Sequence, residues 1–103
     1  MVRHIVLFGV HPHISDAECD AVLDALRALP DAIPEIRLYE VVRDEVGGAR
    51  SATFGVLSHF DDFAALDRYR NHPDHQAVLV RLNEISAWIK AWDYTVAPET
   101  PSL

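Results

Sequence analysis

Apolar positions occupy both parities of residues 3–10 (RHIVLFGV). His4, Val6, Phe8 and Val10 fall on one, and Ile5, Leu7 and Gly9 on the other. A half-exposed strand alternates, whereas a strand apolar on both sides is covered on both sides. In a chain of 103 residues, helices cover only one face of a sheet well, so the other face is expected to meet a second copy of the chain.

After this strand the period changes. Ser15-Asp16-Ala17-Glu18 has the form of a capping box, with acidic residues at the positive end of the helix dipole. Behind it Cys19, Val22, Leu23, Leu26 and Leu29 make one stripe of an amphipathic helix, which Pro30 ends. Cys19 lies on that stripe, as a small core residue would. Residues 31–34 read as a loop and residues 35–43 (EIRLYEVVR) as a second strand. Residues 44–50, with Gly47-Gly48, read as a hairpin connection, and residues 51–60 (SATFGVLSHF) as a third strand. Asp61 or Asp62 caps a short helix carrying Phe63, Leu66 and Tyr69. Asn71-His72-Pro73 breaks it, and Pro73 suits the first position of the next helix. There His75, Val78, Leu79, Leu82 and Ile85 repeat the helical spacing, and residues 90–96 (KAWDYTV) read as the last strand. The order is βαββαβ. It predicts an α+β fold of the ferredoxin-like, split βαβ type, with a four-stranded antiparallel sheet in a domain over residues 1–97 and a mobile tail over 98–103.

Composition is that of an ordinary globular domain, 50% hydrophobic and 24% charged. The net charge of −7 lacks the footprint of a nucleic-acid or anionic-membrane binder, so neither partner is expected. No apolar run is long enough to span a bilayer, and no signal peptide is expected. A single cysteine cannot form an internal disulfide and fits a cytoplasmic location.

His75 is the most informative candidate, because it lies on an apolar stripe facing the sheet. A polar ring there is either a hydrogen-bonded core residue or a general base in a cavity between helix and sheet. Tyr69, just before the break, is either a packing aromatic or a donor to a substrate oxygen. His72 is expected at or beside the helix N-cap. His4 points either into the cavity with His75 or to the dimer face. No metal is expected: His72 and His75 are three apart, His11 and His13 two apart, His59 stands alone, and neither pair has a clear third ligand. Phosphate-loop, nucleophile-elbow and paired-cysteine patterns are absent, and no cofactor is expected.

Several segments resemble the stress-responsive A/B barrel (Dabb) family. Residues 3–8 (RHIVLF) resemble its opening strand, and residues 28–36 (ALPDAIPEI) its I-P-x-I approach to the second strand. Residues 69–76 (YRNHPDHQ) resemble its Y-x-x-H-P-x-H-Q signature, and Trp92-Asp93-Tyr94 its closing pattern. The resemblance implies a dimeric α+β barrel in which two sheets pack face to face. It also implies a cavity with Tyr69 and His75 as catalytic residues and His4 as a binding residue. These match positions used in a plant polyketide cyclase branch that closes an aromatic ring by aldol chemistry. Phe54 stands where that cyclase carries a cavity-facing histidine, which puts a shared substrate in doubt. Two readings follow. One is a cofactor-free enzyme doing cyclase- or isomerase-like acid–base chemistry on a small hydrophobic oxo compound, with His4, Phe54 and His72 around the substrate. The other is a non-catalytic stress-responsive or small-ligand-binding homodimer. A cofactor-free monooxygenase is a weaker analogy, at the level of fold alone.

Overall fold

The computed structural model describes residues 1–97. The elements are β1 (Val2–Val10), α1 (Asp16–Arg27), α2 (Leu29–Ala32), β2 (Leu38–Arg43), β3 (Phe54–Phe60), α3 (Phe63–Asn71), α4 (Pro73–Ile85) and β4 (Ser86–Thr95). The strands form one antiparallel sheet in the order β2-β3-β1-β4, which is the ferredoxin-like arrangement. The tail expected over residues 98–103 lies outside the described residues.

Several element boundaries differ from the sequence reading. Pro30 does not simply end the first helix. It sits in the first turn of the short α2, where its missing N–H is no loss. The loop expected over residues 31–34 therefore begins as helix. β2 and β3 are shorter than expected, since residues 35–37 and 51–53 lie outside the strands. β4 starts at Ser86 rather than Lys90 and follows α4 directly, drawn into the sheet by pairing with β1 from Val10 to Val2.

The helices cover one face of the sheet. Ser15 and Glu18 form the expected capping box on α1, with the Ser15 hydroxyl accepting the Glu18 N–H at 3.1 Å. The α1 stripe of Cys19, Val22, Leu23 and Leu26 is buried against Phe8, Val41, Phe54 and Val56 from the strands and Val78 and Leu82 from α4. Asp62 caps α3 by accepting the Ala65 N–H. His72 caps α4, its Nδ1 accepting the Asp74 N–H at 3.1 Å, as the sequence reading placed it. Phe54 is buried and stacked parallel on Phe8, with centroids 4.6 Å apart. Ser58, the other buried polar side chain on this face besides His4, donates to the His4 carbonyl.

Among the described residues nothing covers the opposite face. Leu7, Leu38, Val42, Trp88 and Trp92 are exposed there, and Ile5 and Leu57 are half-buried. An apolar patch spread over all four strands is unusual for a surface meeting only water. Gly9 belongs to this face. A Cβ built on it would lie 2.1 Å from Trp88 Nε1, so glycine is what lets the Trp88 indole lie across the strand. At one end of the patch Arg3 Nε donates to His59 Nε2 at 2.9 Å, and Arg3 Nη1 to the Tyr94 hydroxyl at 2.8 Å. The sequence offered His59 no partner. The register that sets Arg3 opposite both His59 and Tyr94 supplies one.

Candidate active site

Between α4 and the β1–β4 half of the sheet lies a cavity of about 380 Å³. Its walls are mainly apolar: Val6 and Phe8 from β1, Val56 from β3, Ile89 and Ala91 from β4, and Leu79 and Leu82 from α4 are among them. The polar groups converge at one end, where His4, Tyr69, Arg70, His75 and Gln76 meet. A mostly apolar hollow with a few convergent polar groups is the usual form of a small-molecule site.

The break at His72 and Pro73 builds this end. His72 is extended (φ −66°, ψ 134°), as a residue before proline must be, so α3 stops and α4 restarts in a new direction. The turn brings Tyr69, in the last turn of α3, and His75, in the first turn of α4, into contact with ring centroids 4.4 Å apart. His4 completes the group from β1, with its ring 6.2 Å from Tyr69. Parity in the sequence left its side open; the structure sets it on the helix side, 6% exposed.

Each imidazole is held by an acceptor. His75 Nδ1 lies 3.1 Å from the Arg70 carbonyl. A carbonyl only accepts, so Nδ1 carries the proton and Nε2 of the neutral ring keeps the lone pair. Burial holds the His75 pKa below the ordinary imidazole value. The Arg70 carbonyl opposes that shift, and the neighbouring His4, Arg70 and His72 add to it. The ring is therefore neutral at neutral pH. His4 Nδ1 donates to Asp93 Oδ1, and the other Asp93 oxygen accepts from Arg70 Nη2 at 3.2 Å. One carboxylate thus ties β1 to β4 and to the end of α3. The Arg70 carbonyl also accepts from Gln76 Nε2 at 2.6 Å.

Tyr69 is 2% exposed, and its hydroxyl lies 2.8 Å from that of Tyr39 on β2. Burial pushes the Tyr69 pKa up to about 12, with the Tyr39 hydrogen bond and the Arg70 charge opposing. Burial raises Tyr39 as well, with Tyr69 adding to it. Both phenols keep their protons across the neutral range.

Of the residues singled out in the sequence, His4, Tyr69 and His75 come together at the cavity. Phe54 and His72 do not line it. Phe54 lies behind the wall, stacked on Phe8, which does line the cavity, and His72 is occupied in capping α4. The sequence reading gave no role to Tyr39, Asp93, Arg70 or Gln76. Asp93 is 89 positions from His4, and only the β1–β4 register sets them side by side. Tyr39 looks like any strand aromatic until β2 is aligned beside β3. Among the described residues no group of three or more His, Cys, Asp or Glu is placed to hold a metal ion. His11 and His13 stack on each other 5.3 Å apart, away from the cavity lining. No described helix is long and apolar enough to cross a membrane.

The sequence profile of the stress responsive A/B barrel domain family matches residues 2–96. An uncharacterised protein of Streptomyces coelicolor is 33% identical over 96 residues, spanning 91% of this chain and 98% of its relative. The crystal structure of a dimeric ferredoxin-like protein of unknown function from Thermobifida fusca superimposes with a TM-score of 0.84 at 30% identity, covering 92% of this chain and 90% of that one. Hydroxynitrile lyase from Passiflora edulis superimposes with a TM-score of 0.85, covering 97% of this chain and 96% of that one, but at 19% identity the likeness is one of fold. The chain belongs to the stress responsive A/B barrel domain (Dabb) family.

Proposed function

We propose that the chain is a cofactor-independent acid–base enzyme acting on a small apolar carbonyl compound, with His75 as the general base. One observation carries this reading. The imidazole at the wall of an apolar cavity has its Nδ1 proton committed to a carbonyl, and so offers Nε2 as a lone pair beside the Tyr69 phenol. His75 takes a proton from the carbon next to the substrate carbonyl, and the Tyr69 hydroxyl hydrogen-bonds the oxygen as it gains charge. The imidazolium then returns the proton at another carbon, an isomerisation, or the enolate carbon attacks a second carbonyl and the imidazolium protonates the alkoxide that forms, a cyclisation. Burial makes the charged ring costly, which favours return of the proton. His4, oriented by Asp93, binds the far side of the polar group.

The working form in this proposal is a homodimer closed through the apolar sheet face. The dimeric Thermobifida fusca relative supports it, as does the exposure of Leu7, Val42, Trp88 and Trp92. A reducing cytoplasm suits the single buried thiol, Cys19. A second reading, a ligand-binding dimer without catalysis, draws on the same hydrogen bonds: the Arg70 carbonyl and Asp93 would equally satisfy two structural histidines.

The test is deuterium exchange at the α-carbons of a panel of small ketones and 1,3-diketones, followed by NMR. Exchange by the native protein that falls by about 10²–10⁴-fold in His75→Ala is the expected result. Binding without exchange by any member of the panel would favour the non-catalytic reading.

A further inference from the structure

Tyr69 belongs to the core and Tyr39 packs against it, and their hydroxyls bond to each other. Tyr69 belongs to the cavity wall; Tyr39 does not line the cavity and is half-buried on β2, which ends the sheet within the chain. Two hydroxyls 2.8 Å apart share one proton bridge, so one O–H points outward from the pair. If Tyr39 donates, the Tyr69 proton is free for a ligand in the cavity whose wall Tyr69 forms. If Tyr69 donates, the cavity sees only an acceptor oxygen.

A ligand with an electron-rich oxygen decides between these states. It draws the Tyr69 proton toward itself, and Tyr39 then donates into the Tyr69 oxygen. A chain of two donors aimed one way strengthens each link, because each hydroxyl polarises the next. The surroundings fit this arrangement. Both phenols hold their protons well above neutral pH, so both remain donors. His75, whose ring packs against that of Tyr69, keeps Nε2 as an acceptor for the ligand's own proton.

We propose that Tyr39 is a positioning residue that aligns the Tyr69 hydroxyl as a donor, and that the cavity thereby selects small apolar enols and phenols, ligands that enter neutral and become oxyanion-like on binding. This rests on the proposed function only in sharing its cavity; it requires binding and not turnover. A ligand neutral in solution also suits a chain whose net charge of −7 repels anions. Tyr39→Phe keeps the ring, and with it the edge-on packing against Tyr69 at 6.1 Å, while removing the hydroxyl.

The experiment is calorimetric binding of para-substituted phenols of graded acidity, all neutral at the working pH, with p-xylene as the oxygen-free control. It compares the native protein with Tyr39→Phe and Tyr69→Phe. Native affinity should rise with phenol acidity. Tyr39→Phe should flatten that dependence, weakening the most acidic phenol about three- to tenfold, the worth of one hydrogen bond, with p-xylene within about twofold. The visible band of bound p-nitrophenol, which reports its ionised fraction, should shift toward the neutral form in Tyr39→Phe. Packing alone would not move that band.

Equal phenol affinities and an unchanged band in Tyr39→Phe would overturn the proposal. So would a native protein that binds p-xylene but shows no preference for phenols, or one that binds neither. Failure of ketone exchange with the phenol dependence intact would remove the catalytic reading and leave this one standing.

Discussion

Phe54→His tests whether Phe54 belongs to the dry core rather than to the cavity wall. In this fold Phe54 is 1% exposed and lies within 12° of parallel to Phe8, with centroids 4.6 Å apart. An imidazole there forfeits an aromatic contact worth about 0.5–1.5 kcal/mol. It also carries a ring N–H into an apolar layer, and leaving that donor without an acceptor costs about 1–3 kcal/mol. The two together come to about 1.5–4.5 kcal/mol, a large share of a domain stability of about 5–15 kcal/mol. The deficit should depend on pH with a fixed sign. Buried in the folded chain, the new ring stays neutral, while in the unfolded chain it binds a proton below about pH 6.5. The unfolded state then holds more protons, so the loss should be larger at pH 5 than at pH 8. Urea unfolding of the parent and the variant at both pH values measures it. A variant within about 0.5 kcal/mol of the parent at both pH values, the scatter of an ordinary surface change, would refute the assignment of Phe54 to the dry core.

Replacing His75 with Leu should make the acid limb of stability shallower than the parent's. Burial lowers the folded-state pKa, so this ring contributes stability above its unfolded value of about 6.5, lost as pH falls through the interval toward the folded value; identical slopes in urea titrations from pH 5 to 8 would contradict that. Leu23→Ala, at a side chain 1% exposed, should cost about 2–5 kcal/mol by denaturant midpoint, and a loss below about 1 kcal/mol would mean the site collapses around the gap. Leu7→Arg together with Trp92→Glu should halve the mass seen by light scattering while the circular dichroism stays that of a folded chain, and a persistent dimer would move the interface away from this face. Ser15→Ala should lower stability by about 1 kcal/mol through loss of the α1 cap, and an unchanged thermal midpoint would show the box to be idle.

Local features carried much of the fold in the sequence. The capping box at Ser15, the proline after His72 and the stripes through Leu23 and Leu82 each act within a turn or two, so spacing alone exposes them. The two-sided apolar pattern of β1 pointed to a second apolar sheet face, and among the described residues that face is open, with Leu7 and Trp92 on it. What was hidden depends on register. Asp93 beside His4, Arg3 beside His59, and Tyr39 beside Tyr69 are pairs drawn from distant parts of the chain, and no periodicity within one element announces them. The same cause explains β4, whose start at Ser86 is set by pairing with β1 rather than by a local turn signal. Tyr69 and His75 were visible because the helix break that joins them is itself local.

The direct passage from α4 into β4 also bears on how fast a guest could enter or leave the cavity. The wall of the cavity that carries His75 and Leu79 and the wall that carries Ile89 and Ala91 are consecutive segments, with Ser86 following Ile85 and no loop between them to act as a hinge. The His11 N–H, bonded to the Ile85 carbonyl at 2.9 Å, fastens that junction to the end of β1. Enzymes with closing lids spend microseconds to milliseconds on each opening. Exposed lining side chains such as Gln76 and Ile89, the latter 38% exposed, reorient in picoseconds to nanoseconds. The residence time of any guest in this cavity would then be set by how tightly it is held, not by a clock in the backbone.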